Sequence, residues 1–116
     1  MKSALTTLFF TLLLCSAAAQ RNVPAHGGVW VHDEAGILSP QVEAQLEAIL
    51  KAHRDSTSTR IAVLLIPSLD GDDIDSYSLR VTEAWKLGQE QKDNGVLFLV
   101  TMEEKQMRIE VGYGLE

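Results

Sequence analysis

Five consecutive apolar residues, Val96-Leu97-Phe98-Leu99-Val100, constrain the fold more than any other stretch. They show neither a helical stripe nor strand alternation. A run this short, opened by a turn signal, reads as a strand buried on both faces. Such a strand belongs in the middle of a sheet covered by helices. The turn signal is Asp93-Asn94-Gly95, where Asn and Gly both tolerate positive φ. Asp93 and Asn94 therefore stand at a tight entry to the central strand. A rigid sheet holding polar groups there suits ligand binding, although the same three residues also make an ordinary turn.

The 116 residues hold one domain at most, and the first stretch is not part of it. Lys2 gives a positive start. Leu5 to Leu14 is apolar except for Thr6, Thr7 and Thr11, and Ala17-Ala18-Ala19 precedes Gln20. Residues 1–19 read as a secretory signal peptide. The apolar run is shorter than the ~20 residues of a spanning helix, which argues against a retained anchor. Leu14 before Cys15 argues against a lipoprotein site. The expected location is outside the cytoplasm: periplasmic, secreted or envelope-associated.

Removal of residues 1–19 takes away the chain's single cysteine, and with it disulfides, thiol catalysis and cysteine metal sites. It leaves 9 basic against 16 acidic residues, a net charge of −7. Nucleic acid is not an expected partner, since phosphate backbones need a basic face. A divalent cation or a cationic partner surface suits the charge, as does simple solubility.

Residues 20–28 contain Asn22, Pro24, Gly27 and Gly28 without periodicity and read as a mobile leader. Val29-Trp30-Val31 is a short extended piece. Ser39-Pro40 is a helix start, with Ser39 as N-cap and Pro40 at the first helical position. The helix is expected to bury Val42, Leu46, Ile49 and Leu50, with Glu43 and Glu47 facing solvent. Turn chemistry at Asp55 to Thr59 ends it. Ile61 to Ile66 is a second buried strand, stopped by Pro67.

Asp72 or Asp73 caps the next helix, which is expected to bury Ile74, Tyr77, Val81, Ala84 and Trp85. Gly88 is its expected left-handed cap. Met107 to Val111 alternates apolar and polar residues, the pattern of a strand with one exposed face. The fold class is α/β. Two strands joined by a helix lie parallel with a right-handed crossover, and the last two strands form an antiparallel hairpin. Gly112 to Gly114 then returns to the end where Asp93-Asn94 begins the central strand. Asp33 and Ser68 fall at the opposite end, so two polar rims are expected.

No phosphate loop, paired-histidine motif or nucleophile elbow is present. Asp70, Asp72, Asp73 and Asp75 lack calcium-loop spacing, because Ile74 stands where a ligand is needed. They read as a solvated helix-capping loop. Asp93, Asn94 and Gly112-Tyr113-Gly114 could together line a pocket of oxygens for a hard cation.

Four phrases resemble one family. They are Val31 to Ser39 (VHDEAGILS), Ile61 to Leu64 with Pro67-Ser68-Leu69, Trp85 to Gly88 with Asp93 to Leu97, and Arg108 to Glu116 (RIEVGYGLE). From about Val29 to Glu116 the chain resembles the TPM domain. That domain is known from thylakoid-lumen photosystem repair proteins, bacterial secreted or membrane-anchored proteins, and an animal receptor modulator. The resemblance implies a three-layer α/β/α sandwich with a mixed sheet. It also implies acid phosphatase activity on a phosphorylated small molecule and, in some members, calcium binding. Other members only bind protein partners, which here would be envelope proteins.

On that basis the candidate catalytic residues are Asp33, Asp93 and Asn94. The candidate ligands for calcium or another divalent cation are Asp93, Asn94, Gly112, Tyr113 and Glu116. Two departures stand out. Glu90-Gln91 replace a frequent Lys-Gly pair. The family's domain also continues with further helices and a strand, so the C-terminal part is expected to be missing here, along with any membrane-spanning tail. Exposed apolar surface should result.

Overall fold

The computed structural model describes residues 20–87 and 94–112. In chain order the elements are β1 (Val31–Asp33), α1 (Pro40–Thr57), β2 (Thr59–Ile66), α2 (Ile74–Ala84), β3 (Asn94–Thr101) and β4 (Gln106–Val111). They form one four-stranded sheet in the order β1-β2-β3-β4. β1, β2 and β3 run parallel, and β4 is antiparallel to β3. The mixed sheet is as expected, with one strand more. Val31–Asp33 pairs with Val63–Leu65 at the sheet edge, a pairing three residues long that carries no periodicity of its own.

Local chemistry explains the helix ends. Ser39 accepts a hydrogen bond from the Val42 N–H at 3.2 Å, with Pro40 at the first position. α1 runs through Asp55 and Ser56 to Thr57 and closes at Ser58, which is left-handed at φ 64°. The expected turn residues thus form the last helical turn. The hydroxyls of Ser56 and Thr57 bond back to the His53 carbonyl, which suits short polar side chains there. Asp73 caps α2 by accepting from the Ser76 N–H at 3.0 Å. The left-handed residue after α2 is Lys86 at φ 57°. Gly88, the expected cap, lies outside the described residues.

The helices lie on opposite faces of the sheet, giving three layers. Beneath α2, Tyr77, Val81 and Trp85 pack with Ala62, Leu64, Ile66, Leu97 and Leu99. Beneath α1, Leu50 packs with Val31, Val63 and Leu65, joined by Leu46, Leu38, Phe98 and Val100. β2 is therefore covered on both faces. β3 is sealed on the α2 face only. Leu97 and Leu99 are fully buried, whereas Val96, Phe98 and Val100 are half-buried.

Several expected core positions differ. Val42 and Ile49 are exposed, at 45% and 63%. Both lie on the side of α1 away from Glu47, whose carboxylate accepts from the backbone N–H groups of Trp30 and Val31. Glu47 thus turns inward to satisfy the start of β1, rather than facing solvent. On α2, Ala84 is exposed, and Ser78 and Thr82 are buried in its place. β4 reverses the usual alternation. Met107, Ile109 and Val111 are exposed, while Arg108 turns to the Ser78 hydroxyl (3.1 Å) and to Glu110 (2.9 Å).

Residues 20–28 form no regular element, yet they are anchored along α2. The Trp85 indole N–H donates to the Pro24 carbonyl at 2.7 Å. Tyr77 Oη donates to the Asn22 carbonyl at 3.1 Å. The Arg21 N–H donates to Asp72 at 3.0 Å. Among the described residues no helix is long and apolar enough to cross a membrane.

Candidate functional site

The parallel strands define two rims. At the carboxyl ends of β1 and β2 lies Asp33, level with Leu65. At the start of β3 lies Asn94, level with Thr59. Six residues of extended chain separate those levels, about 20 Å. Asp33 and Asn94 therefore do not share a site, as the chain order implied.

The Asp33 carboxylate is committed to its own turn. One oxygen accepts from the Ile37 N–H at 3.1 Å and the other from the Leu38 N–H at 2.8 Å. Both oxygens thus organise the entry to α1. Around Asp33 the rim is a lattice of charge pairs. Arg21 bonds Glu34 at 2.6 Å and Asp70 at 2.9 Å. Arg80 bonds Asp72, and Arg108 bonds Asp75 at 3.0 Å. The acidic loop is thus stapled to the leader, to α2 and to β4, not merely solvated. Burial alone would raise the Asp72 carboxyl. The Arg80 guanidinium and the N–H groups of Arg21 and Asp73 outweigh it and hold the group below the usual range.

A cavity of about 340 Å³ opens beside these pairs, lined by Gln20 to Pro24, Glu34 and Asp70. Nothing in the local pattern of residues 20–28 marks Arg21 as its cation. Nor does periodicity bring His26 and His32 to Trp85, at ring distances of 5.4 and 4.4 Å. Burial first, then the neighbouring His32, lowers the His26 imidazole.

Glu104 ties the β3–β4 turn to the loop after β2. It accepts from the Thr101 hydroxyl, the Leu69 N–H (3.0 Å) and the Ser68 hydroxyl (2.9 Å). The Thr101 bond is the main reason its carboxyl is lowered from 4.5 to about 2. A depressed carboxyl stabilises the fold above its unfolded pKa and ceases to do so as pH falls through the folded value. Glu104→Gln should therefore lower the urea midpoint at neutral pH. The difference from wild type should close between about pH 4.5 and 2. An equal difference at both ends of that window would remove the carboxylate from the account.

At the other rim, the Gly112 N–H donates to the Gly95 carbonyl at 2.7 Å. This bond extends the β3–β4 ladder past Val96–Val111, and it brings the end of β4 to the start of β3. Asn94 and Gly112 are thus placed together, as expected. Asp93, Tyr113 and Glu116 lie outside the described residues. Among the described residues no group of three His, Cys, Asp or Glu side chains could hold a metal ion.

The family model for the TPM domain matches residues 31–116. The chain belongs to the TPM-domain family. The match takes in β1 and both rims of this TPM domain. The fold is similar to the solution NMR structure of the N-terminal domain of a protein from P. gingivalis. Identity is 30% and the TM-score 0.69, covering 83% of this chain and 68% of that one. No curated protein matches the chain.

Proposed function

We propose that this TPM domain is an exported module that binds a hard divalent cation, calcium foremost, at the rim where β3 begins. Any hydrolysis of a phosphomonoester would take place at that rim, without Asp33. The observation that carries this reading is the Gly112–Gly95 hydrogen bond. It closes the end of β4 onto Asn94-Gly95, the first two residues of β3. Calcium takes six to eight oxygens from carboxylates, amides and backbone carbonyls. Such a site would draw a carboxylate from Asp93, an amide from Asn94, backbone carbonyls from Gly112 and Tyr113, and a second carboxylate from Glu116. A cation held by these residues would supply Lewis-acid polarisation of a phosphoryl oxygen and a more acidic bound water.

The second reading is a non-catalytic envelope module that binds a protein partner through its acidic surface. The turn-bound carboxylate of Asp33 favours it, because one of the two candidate acids is already engaged.

Calorimetric calcium titration and phosphate release from an aromatic monoester test both readings on the same proteins. Asp93→Ala should abolish calcium binding, and Asp73→Ala, which removes only a helix cap, should leave it intact. Calcium binding that survives Asp93→Ala while phosphate release is lost would make Asp93 a base rather than a ligand. A wild type that neither binds calcium nor releases phosphate would leave the partner-binding module standing.

A further inference from the structure

Among the described residues no strand pairs with the outer edge of β4. The direction of its free peptide groups follows from the ladder. Because the Gly112 N–H points to Gly95 on β3, alternation turns the peptide groups of Glu110, Arg108 and Gln106 inward as well. Those of Met107, Ile109 and Val111 point outward. The same three residues carry exposed apolar side chains, at 59%, 53% and 37%. An open edge joined to an exposed apolar row is the combination that invites another strand.

The sequence of β4 says which strand fits. Met107-Arg108-Ile109-Glu110-Val111 is complementary to itself when reversed. We propose that β4 pairs antiparallel with β4 of a second copy of this chain, about a two-fold axis at Ile109. The described strands of the two copies then form one continuous sheet.

In that register Ile109 faces Ile109 of the other copy, and Met107 faces Val111. Arg108 faces Glu110, and the reverse pair repeats across the axis. The residues whose peptide groups point outward oppose one another, as a hydrogen-bonded ladder requires. Neighbouring registers fail on charge. Moving the axis to Arg108 sets arginine against arginine, and moving it to Glu110 sets glutamate against glutamate. Like charges directly opposite destabilise a strand pair, whereas opposite charges stabilise it.

Arg108 is 39% exposed while bonding Asp75 and Glu110. Its five N–H donors leave capacity for a carboxylate across the axis. The contact is isologous and closed. Six residues of strand make a small interface, below the ~1,200–2,000 Å² of standard complexes, so the dimer is reversible and depends on concentration.

The experiment is sedimentation equilibrium over a concentration series, with charge reversal. Glu110→Arg and Arg108→Glu should each weaken self-association at least about tenfold, because each places like charges at both paired positions. An equimolar mixture of the two should restore the dimer, since each strand then faces its complement. Ile109→Cys, in a Cys15→Ser background, reads the register without touching the charges. A hydrogen-bonded antiparallel pair sets its Cα atoms about 5.5 Å apart, within disulfide range. Ile109→Cys should therefore crosslink to itself on mild oxidation, and Met107→Cys should not. A wild type that is monomeric at every concentration overturns the proposal. So does a dimer that survives both charge reversals, or one that crosslinks through Met107→Cys rather than Ile109→Cys.

Discussion

Trp85→Ala should destabilise the domain by about 3–5 kcal/mol, the cost of truncating a large buried aromatic. Trp85 is 6% exposed and belongs to the cluster beneath α2 with Tyr77, Val81, Leu97 and Leu99. It ends α2 and fixes the leader at the same time. Its indole N–H donates to the Pro24 carbonyl at 2.7 Å, and its ring lies 4.4 Å from that of His32. Alanine removes the packing and also strands that carbonyl, so a cavity and an unmet acceptor add together. Urea unfolding followed by far-ultraviolet circular dichroism measures the loss without relying on tryptophan emission. A change below about 1 kcal/mol is the size of a surface substitution and would mean that Trp85 does not seal this core.

Asp72→Ala should cost about 2–3 kcal/mol, less than the 3–5 of a fully buried broken pair because Arg80 retains solvent contact. The Asp72 side chain is 8% exposed and that of Arg80 29%. The carboxylate also accepts from the N–H groups of Arg21 and Asp73, at 3.0 and 2.8 Å. Its loss leaves Arg80 without that partner and frees the leader from the start of α2. The pH dependence has a defined sign. Because the folded Asp72 is held below its ordinary value of 3.8, its contribution is present above that value. It is lost as pH falls through the lowered one. The same urea series, repeated at acid pH, should show the wild type approaching Asp72→Ala. A neutral-pH difference within about 0.5 kcal/mol would place the pair among ordinary surface charges.

The two faces of the sheet were legible to different degrees. On the α2 side, Tyr77, Val81 and Trp85 recur at helical spacing and meet Leu97 and Leu99 as expected. On the α1 side, Val42 and Ile49 recur just as regularly and are exposed. Periodicity finds an apolar stripe but not how much of the sheet lies beneath it. Here α1 sits over β1 and β2, with Phe98 and Val100 of β3 only half-buried at its margin, and among the described residues nothing covers that face of β4. Met107, Ile109 and Val111 are exposed on that flank.

The candidate site divides in the same way. Asn94 and Gly95, expected in a tight turn before the strand, are instead its first two residues, because they extend the pairing with Thr59 and Arg60 of β2. Gly112 returns beside them, because a hairpin must bring its last residue back to the first strand's start. The separation of Asp33 also followed from chain direction. Its commitment to the Ile37 and Leu38 N–H groups did not, since an aspartate in a turn and an aspartate in a site look alike in sequence.

By itself the sequence determined the elements that depend on neighbours a few residues apart. These are the Ser39-Pro40 helix start, a second helix start at Asp72 or Asp73, the apolar runs of β2 and β3, and the parallel crossover followed by a hairpin. Only the tertiary structure decided what depends on distant partners. It paired the three-residue β1 with β2, turned Glu47 inward to the Trp30 and Val31 N–H groups, and placed Arg21 between Glu34 and Asp70. The physical reason is range. Capping and periodicity act within one or two turns of chain, whereas a buried backbone donor or a guanidinium takes whichever acceptor the packed layers bring to it.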